Sequence, residues 1–128
     1  MPSAKYTSQV EQDKLIIRVL RFIRNYLHVS TSDLSKIMGG EFHSRSLIAG
    51  IENDTRMPNP NFISEYAKAI QIVSELEGNI LYIVQECIKD EDFVKKLELV
   101  ESGKYSFITI YDLTTKIWEL NLKASSKN

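Results

Sequence analysis

The sequence predicts a mainly α-helical chain that ends in a β-hairpin. Three observations carry this. Apolar residues recur at three- and four-residue spacing from Ile16 to Val100. Ser, Asn and Asp stand just ahead of successive apolar runs, where helix N-caps belong. From Tyr105 onward the apolar spacing shifts to alternation, the period of a strand.

Ser8, followed three residues later by Glu11, forms a capping-box pair, and Ile16, Val19, Leu20, Ile23 and Leu27 then mark a first helix over roughly 9–27. Lys14, Arg18 and Arg21 fall on its other side and read as a solvated face, with an approach to phosphates as the alternative. Ser30 caps a second helix, with Asp33 in the first turn, where the helix dipole favours negative charge, and with Leu34, Ile37 and Met38 facing inward. Gly39-Gly40 ends it. After a connection from Gly39 to His43, Ser44 caps a short helix that carries Leu47, Ile48 and Ile51 and closes near Glu52. Asn53-Asp54-Thr55-Arg56 is turn material. Asn59-Pro60 then supplies an N-cap and a proline at the first helical position, and the fourth helix buries Phe62, Ile63, Tyr66, Ala67, Ile70 and Val73.

Ser74 and Glu77 form a second capping-box pair ahead of a fifth helix with Leu76, Ile80, Ile83, Val84, Cys87 and Ile88. Asp90 caps a shorter helix with Phe93, Val94, Leu97 and Val100, stopped by Gly103. Beyond it, Phe107, Thr109 and Tyr111 alternate with Ile108 and Ile110. After a turn at Asp112 to Thr115, Trp118, Leu120 and Leu122 alternate with Ile117, Glu119 and Asn121, which gives the hairpin. The spacing of Leu113, Ile117 and Leu120 keeps a helix over Asp112 to Leu122 as the alternative. Residues 1–73 thus form one domain, and 74–128 a helical and hairpin extension.

With 128 residues, 43% of them hydrophobic, the chain can bury one compact core. Its net charge of -1 hides an asymmetry: residues 1–72 carry nine Lys/Arg against seven Asp/Glu, a balance of +2, and residues 73–128 carry seven against ten, a balance of -3. Any contact with nucleic acid belongs in the first half. There is no apolar run of membrane-spanning length and no basic and apolar leader, so a soluble cytoplasmic protein without a membrane partner is expected. The single Cys87 forms no intrachain disulfide and fits a reducing compartment. With two His, no Cys pair, no HExxH, no phosphate-cradling GxxxxGK[ST] and no GxSxG elbow, the expectation is no enzyme, no metal and no cofactor.

The ordered segments IRNYLHVSTSDLSKIMG, SRSLIAGIEN and RMPNPNFISEYAKAI read as a helix-turn-helix. They resemble the Cro/repressor-type (xenobiotic response element) family of phage repressors and bacterial regulators over about residues 14–73. The matches, in order, are Arg24, Leu34 followed by the small Ser35, Gly39, Ile48, Ile51, Glu52, Pro58 and the Phe62, Tyr66-Ala67, Ile70 spacing. The resemblance implies a five-helix-type domain in which Arg24 and Glu52 form a partly buried ion pair. Elementary electrostatics agrees, because a carboxylate beside apolar Ile51 needs a charged partner and Arg supplies a bidentate one.

By the same resemblance the helix that begins at Ser44 enters the major groove of double-stranded DNA, with Arg45, Ser46, Ala49 and Gly50 facing bases. Arg45 can bond guanine O6 and N7 together, worth about 1 to 3 kcal/mol of discrimination. Thr31, Ser44 and Ser46 suit phosphate or single base contacts, and Arg56, Asn59 and Asn61 suit backbone phosphates that fix register. Ser44 and Asn59 are also caps. The chain departs from the family pattern in a longer connection between the second and third helices, in Thr31 where many members have Gln, and in Gly50, which offers no side chain.

The implied function is a sequence-specific transcription regulator, a repressor that binds an inverted-repeat operator as a homodimer. The C-terminal region is then the dimerisation element or the dock for a second protein, with Ile80, Val84, Ile88, Tyr111, Trp118 and Leu120 as its contact residues; internal packing is the other use for them. The alternative function is a protein-binding module on the same scaffold, an antitoxin or a phage-encoded inhibitor of a host defence nuclease, with DNA autoregulation as a second activity.

Overall fold

The computed structural model describes residues 9–40 and 43–125. Among these residues it has seven helices and no strand: α1 (Gln9–Tyr26), α2 (Thr31–Ile37), α3 (Arg45–Glu52), α4 (Pro60–Ser74), α5 (Ile80–Lys89), α6 (Glu91–Glu101) and α7 (Phe107–Ser125). The chain divides into two compact units, 1–70 and 71–128, and the division falls inside α4. None of the described helices is long and apolar enough to cross a membrane.

In the first unit, α1 buries Ile16, Ile17, Val19, Leu20, Phe22 and Ile23 and packs on α3, which also packs on α2. The Ser8 cap expected for α1 lies outside the described residues. The chain leaves α1 through His28, whose backbone is left-handed at φ 60°, and the Val29 amide returns to the Arg24 carbonyl. Local chemistry then sets each following helix start. Ser30 Oγ accepts the Asp33 amide at 3.0 Å, Ser44 Oγ accepts the Leu47 amide at 3.1 Å, and Asn59 Oδ1 accepts the Phe62 amide at 2.8 Å. Gly39 and Gly40 end α2 at φ +99° and +58°, conformations that a side chain would strain.

The second unit corrects two expectations. Ser74 and Glu77 do not open a helix. Ser74 is the last residue of α4, Glu75 turns left-handed at φ 58°, and α5 starts only after Asn79, whose Oδ1 accepts the Tyr82 amide at 3.0 Å. Gln71 organises the intervening loop, donating from Nε2 to the carbonyls of Leu76 and Gly78 and accepting the Ile80 amide on Oε1 at 2.8 Å. Leu76 therefore lies in that loop and not on α5.

The β-hairpin is absent, and Phe107–Ser125 is one helix. Its start is a reciprocal cap. Ser106 Oγ accepts the Thr109 amide at 3.4 Å, and Thr109 Oγ1 accepts the Ser106 amide at 3.2 Å, with Thr filling the place usually taken by Glu or Gln. The residues it buries, Thr109, Leu113, Ile117, Leu120 and Asn121, follow the helical period, and the Asp112 to Thr115 segment has no Gly or Asn to reverse a hairpin. α7 packs on both α5 and α6, so a long amphipathic helix completes a core that a lone hairpin would leave half covered. Asp90 alone links α5 to α6, closing one and accepting the amides of Asp92 and Phe93 to open the other. Lys96 Nζ ties α6 to α7, at 2.8 Å from both Asp92 and Asp112.

Asn121 shows what holds this unit in register. Buried on α7, it accepts the Gly78 amide on Oδ1 at 2.7 Å, and a Cβ at Gly78 would come within 2.7 Å of Ala124 Cβ. Asn121→Leu leaves that buried N–H without a partner and is expected to cost about 1 to 3 kcal/mol. In urea unfolding the midpoint falls while the slope stays unchanged.

Candidate nucleic-acid interface

The first unit is organised around one buried charge pair. Arg24, late in α1, donates from Nε to Glu52 Oε2 at 2.9 Å and from Nη2 to Oε1 at 2.7 Å, a bidentate fork, and from Nη1 to the Val29 carbonyl at 2.7 Å. Tyr66 of α4 donates its hydroxyl to Glu52 Oε2 at 2.5 Å. All three residues are buried, and every described buried side-chain N or O atom has a partner. Burial opposes the Arg24 cation, but the Glu52 hydrogen bond and charge outweigh it and hold its pKa above the ordinary value. Burial, reinforced by the Glu52 carboxylate, pushes the Tyr66 pKa well above its usual 10.0, which keeps the hydroxyl a donor.

Two further cations of α1 converge on the same end of α3. Arg21 Nη1 donates to the Glu52 carbonyl at 3.3 Å, and Lys14 Nζ pairs with Asp54 at 3.0 Å. Cations at a helix C-terminus offset its negative dipole end. Lys14 and Arg21 are thus more than a solvated face; their seven-residue spacing, two turns apart on one side of α1, was the signal for it. Tyr66 as a third partner of Glu52 has no such local signal, because α4 meets α3 only in the folded unit.

With its C-terminus held, α3 turns its other face outward. Ile48, Ile51 and Glu52 are buried, Arg45 and Ser46 are exposed, and Ala49 and Gly50 are half-buried. The helix then folds back on itself. Asp54 is left-handed at φ 62°, and the Gly50 carbonyl accepts the amides of Thr55 and Arg56 and the Thr55 hydroxyl at 2.8, 3.1 and 3.0 Å. This return lays the Arg56 stem across Gly50: a Cβ there would sit 3.3 Å from Arg56 Cγ and 3.2 Å from Cδ. Gly50 therefore makes room for an arginine delivered from the following turn. Arg45, Ser46 and Ala49 share the side of α3 away from its buried residues, and the Arg56 stem lies over Gly50.

The remaining candidates sit on other elements. Thr31 is the first residue of α2, Ser44 is the cap of α3, and Asn59 and Asn61 flank the first residue of α4, with the Asn59 side chain engaged as a cap. His43 lies in the connection before α3, where its Nδ1 is 3.2 Å from the Met38 carbonyl and its ring packs against Phe62 with centroids 6.0 Å apart. The buried Ser35 hydroxyl donates to the His43 carbonyl at 2.7 Å, which gives the small residue at that position a physical task.

Comparison with protein-family models, with curated proteins and with solved structures returns no match to this chain. The site's meaning therefore rests on its own geometry.

In the second unit, Ile80, Val84 and Leu120 are buried inside the chain and Ile88 is half-buried, whereas Tyr111 and Trp118 are exposed. The burial reflects the packing of α7 on α5, which claims the inward stripe of each helix. A groove of about 210 Å³ between α6 and α7 is lined by Asp90, Asp92, Lys96, Asp112, Lys116 and Glu119 among others. Its lysines are already paired, Lys96 with Asp92 and Asp112, and Lys116 with Asp90 at 3.3 Å. Burial pushes the Cys87 thiol up to about 12, so it stays protonated. Among the described residues no group of three His, Cys, Asp or Glu is arranged to hold a metal ion.

Two predictions follow from the buried network. Arg24→Leu leaves the Glu52 carboxylate buried without its cation and is expected to lower stability by about 3 to 5 kcal/mol in chemical denaturation. Because the folded-state pKa of Tyr66 lies above its unfolded value of 10.0, its contribution is whole below about pH 10 and is lost as pH rises through the folded-state value. Melting temperatures recorded from pH 7 upward should therefore fall more steeply above pH 10 in the wild type than in Tyr66→Phe.

Proposed function

We propose that the chain is a sequence-specific DNA-binding regulator of the Cro/repressor helix-turn-helix type, acting as a repressor on an inverted-repeat operator as a homodimer. The observation that carries this reading is the outward side of α3. The helix is fixed at its C-terminus by the Arg24, Glu52 and Tyr66 network, yet leaves Arg45 and Ser46 exposed and gains Arg56 across Gly50. A rigid helix with its cations turned to solvent is what groove recognition requires. Arg45 is the base-reading candidate, bidentate to guanine. Arg56, laid over Gly50, supplies a cation for phosphate. Ser44, Thr31, Asn59 and Asn61 complete the backbone contacts from their helix starts. Docking is electrostatic at first, so affinity falls as salt rises. The reading involves no catalysis and no cofactor.

The test is a gel-shift titration against the region upstream of the coding sequence, at low and physiological salt, with unrelated duplex as competitor. Arg45→Ala is expected to cost about 1 to 3 kcal/mol and to relax preference at one base pair. Arg56→Ala should weaken all sequences alike and reduce the salt slope by about 1. Gly50→Ala displaces the Arg56 stem and should weaken binding in the same way, while helix propensity keeps its stability within about 1 kcal/mol of wild type. Unchanged binding in Arg45→Ala and Arg56→Ala removes these site assignments. Absent or competitor-sensitive binding by the wild type removes the regulator reading and favours the protein-binding alternative.

A further inference from the structure

α7 carries a second apolar face that the described residues leave open. Phe107, Ile108, Tyr111, Trp118 and Leu122 are between 55% and 84% exposed. The spacings of four, seven and four residues from Phe107 to Leu122 place them along one side of the helix, opposite the buried Leu113, Ile117 and Leu120. The stripe runs for about 22 Å. No charged residue interrupts it, although residues 73–128 carry a balance of -3. Three aromatic and two aliphatic side chains at these exposures offer about 700 Å². That exceeds the patch of about 300 to 600 Å² usual on a monomer. It approaches the roughly 800 Å² per partner of a stable interface.

The order of side-chain sizes along the stripe specifies the occupant. Large residues stand at both ends, and Thr114 and Thr115 stand at the centre. The Thr114 hydroxyl is bonded to its own helix, to the carbonyls of Ile110 at 3.0 Å and Tyr111 at 3.1 Å, so it can be covered without losing a partner. Two such helices laid antiparallel, with a two-fold axis between Thr114 and Thr115, cross where the side chains are smallest. Tyr111 then meets Trp118 of the other copy, and Phe107 meets its Leu122. We propose that this face of α7 is a homodimer interface and that its occupant is a second copy of the chain in antiparallel register. A stripe that is uncharged and complementary to its own reversal favours itself over a partner of opposite charge. The inference deepens the two-fold reading above by naming the surface that would join two copies.

Light scattering on the full chain, without DNA, tests it. At tens of micromolar, above the micromolar end of the affinity range for interfaces of this size, the wild type is expected at twice its 14.7 kDa mass. Thr114→Glu and Thr115→Lys each set like charges close to the axis, and each is expected to run at the single-chain mass with unchanged helicity by circular dichroism. Position 114 of one copy faces 115 of the other, so an equimolar mixture of the two variants should recover the doubled mass. Emission from Trp118, the chain's one tryptophan, should shift to the red in each variant and return on mixing. A monomeric wild type, or a dimer that survives both substitutions, overturns the proposal, and a mixture that stays monomeric overturns the antiparallel register. A dimer that binds no operator removes the regulator reading and leaves this interface standing; an operator-binding dimer that survives both substitutions does the reverse.

Discussion

The first unit depends on the Glu52 carboxylate accepting three hydrogen bonds at once. A carboxylate buried beside Ile51 would be costly alone, and the bidentate guanidinium of Arg24 and the hydroxyl of Tyr66 make it tolerable. The arrangement draws α1, α3 and α4 to one point, because each contributes one member of the set. Apolar packing of Ile16, Leu20, Ile48, Phe62 and Ile70 supplies the bulk of the core, and it is non-directional. The charged network is directional, and it fixes the angle at which α3 is presented. Any role for the outward side of α3 inherits its precision from a group that faces inward.

The same end of α3 illustrates how structure and site are coupled. Glu52 holds the helix, Arg21 and Lys14 offset its dipole, and Asp54 turns the chain back so that Arg56 runs along Gly50. A residue with a side chain at position 50 would compete with Arg56 for that space. A glycine that weakens an isolated helix thus strengthens the local arrangement of cations, with the helix held by tertiary contacts in place of intrinsic propensity. The second unit follows a different logic. Its α5, α6 and α7 are joined by apolar packing, by the Lys96 bridge and by the Asn121 to Gly78 hydrogen bond. α7 buries one side in that core and leaves another apolar side to solvent.

The starts of α2, α3, α4 and α6 were legible in the sequence, because a cap is a contact between residues two or three apart. Ser30, Ser44, Asn59 and Asp90 each satisfy an amide on their own helix, and no distant group is needed. The Arg24 and Glu52 pair came from the resemblance of these segments to a known family pattern, and the cost of burying a lone carboxylate agrees with it. The Ser74 and Glu77 pair misled for the opposite reason. A capping signal has value only where a helix is free to begin, and there α4 was still finishing, with Gln71 already committed to the loop amide and carbonyls.

What the sequence by itself determined is the helical character of the described residues before Gly103 and the caps Ser30, Ser44, Asn59 and Asp90, set by short-range chemistry. The charge pair came from the family resemblance, with the cost of burying charge in agreement. Tertiary structure decided the rest. Phe107 to Leu122 satisfies both an alternating and a helical pattern; the Ser106 and Thr109 cap favours the helix locally, and packing against α5 and α6 completes the choice by burying Leu113, Ile117 and Leu120 together. Tertiary structure likewise decided that Ile80, Val84 and Leu120 turn inward while Tyr111 and Trp118 turn outward, and that Arg56 lies on Gly50. The physical reason is common to all of these. Periodicity states that a segment has an apolar side, but which side is covered, and by what, depends on residues far away in the chain.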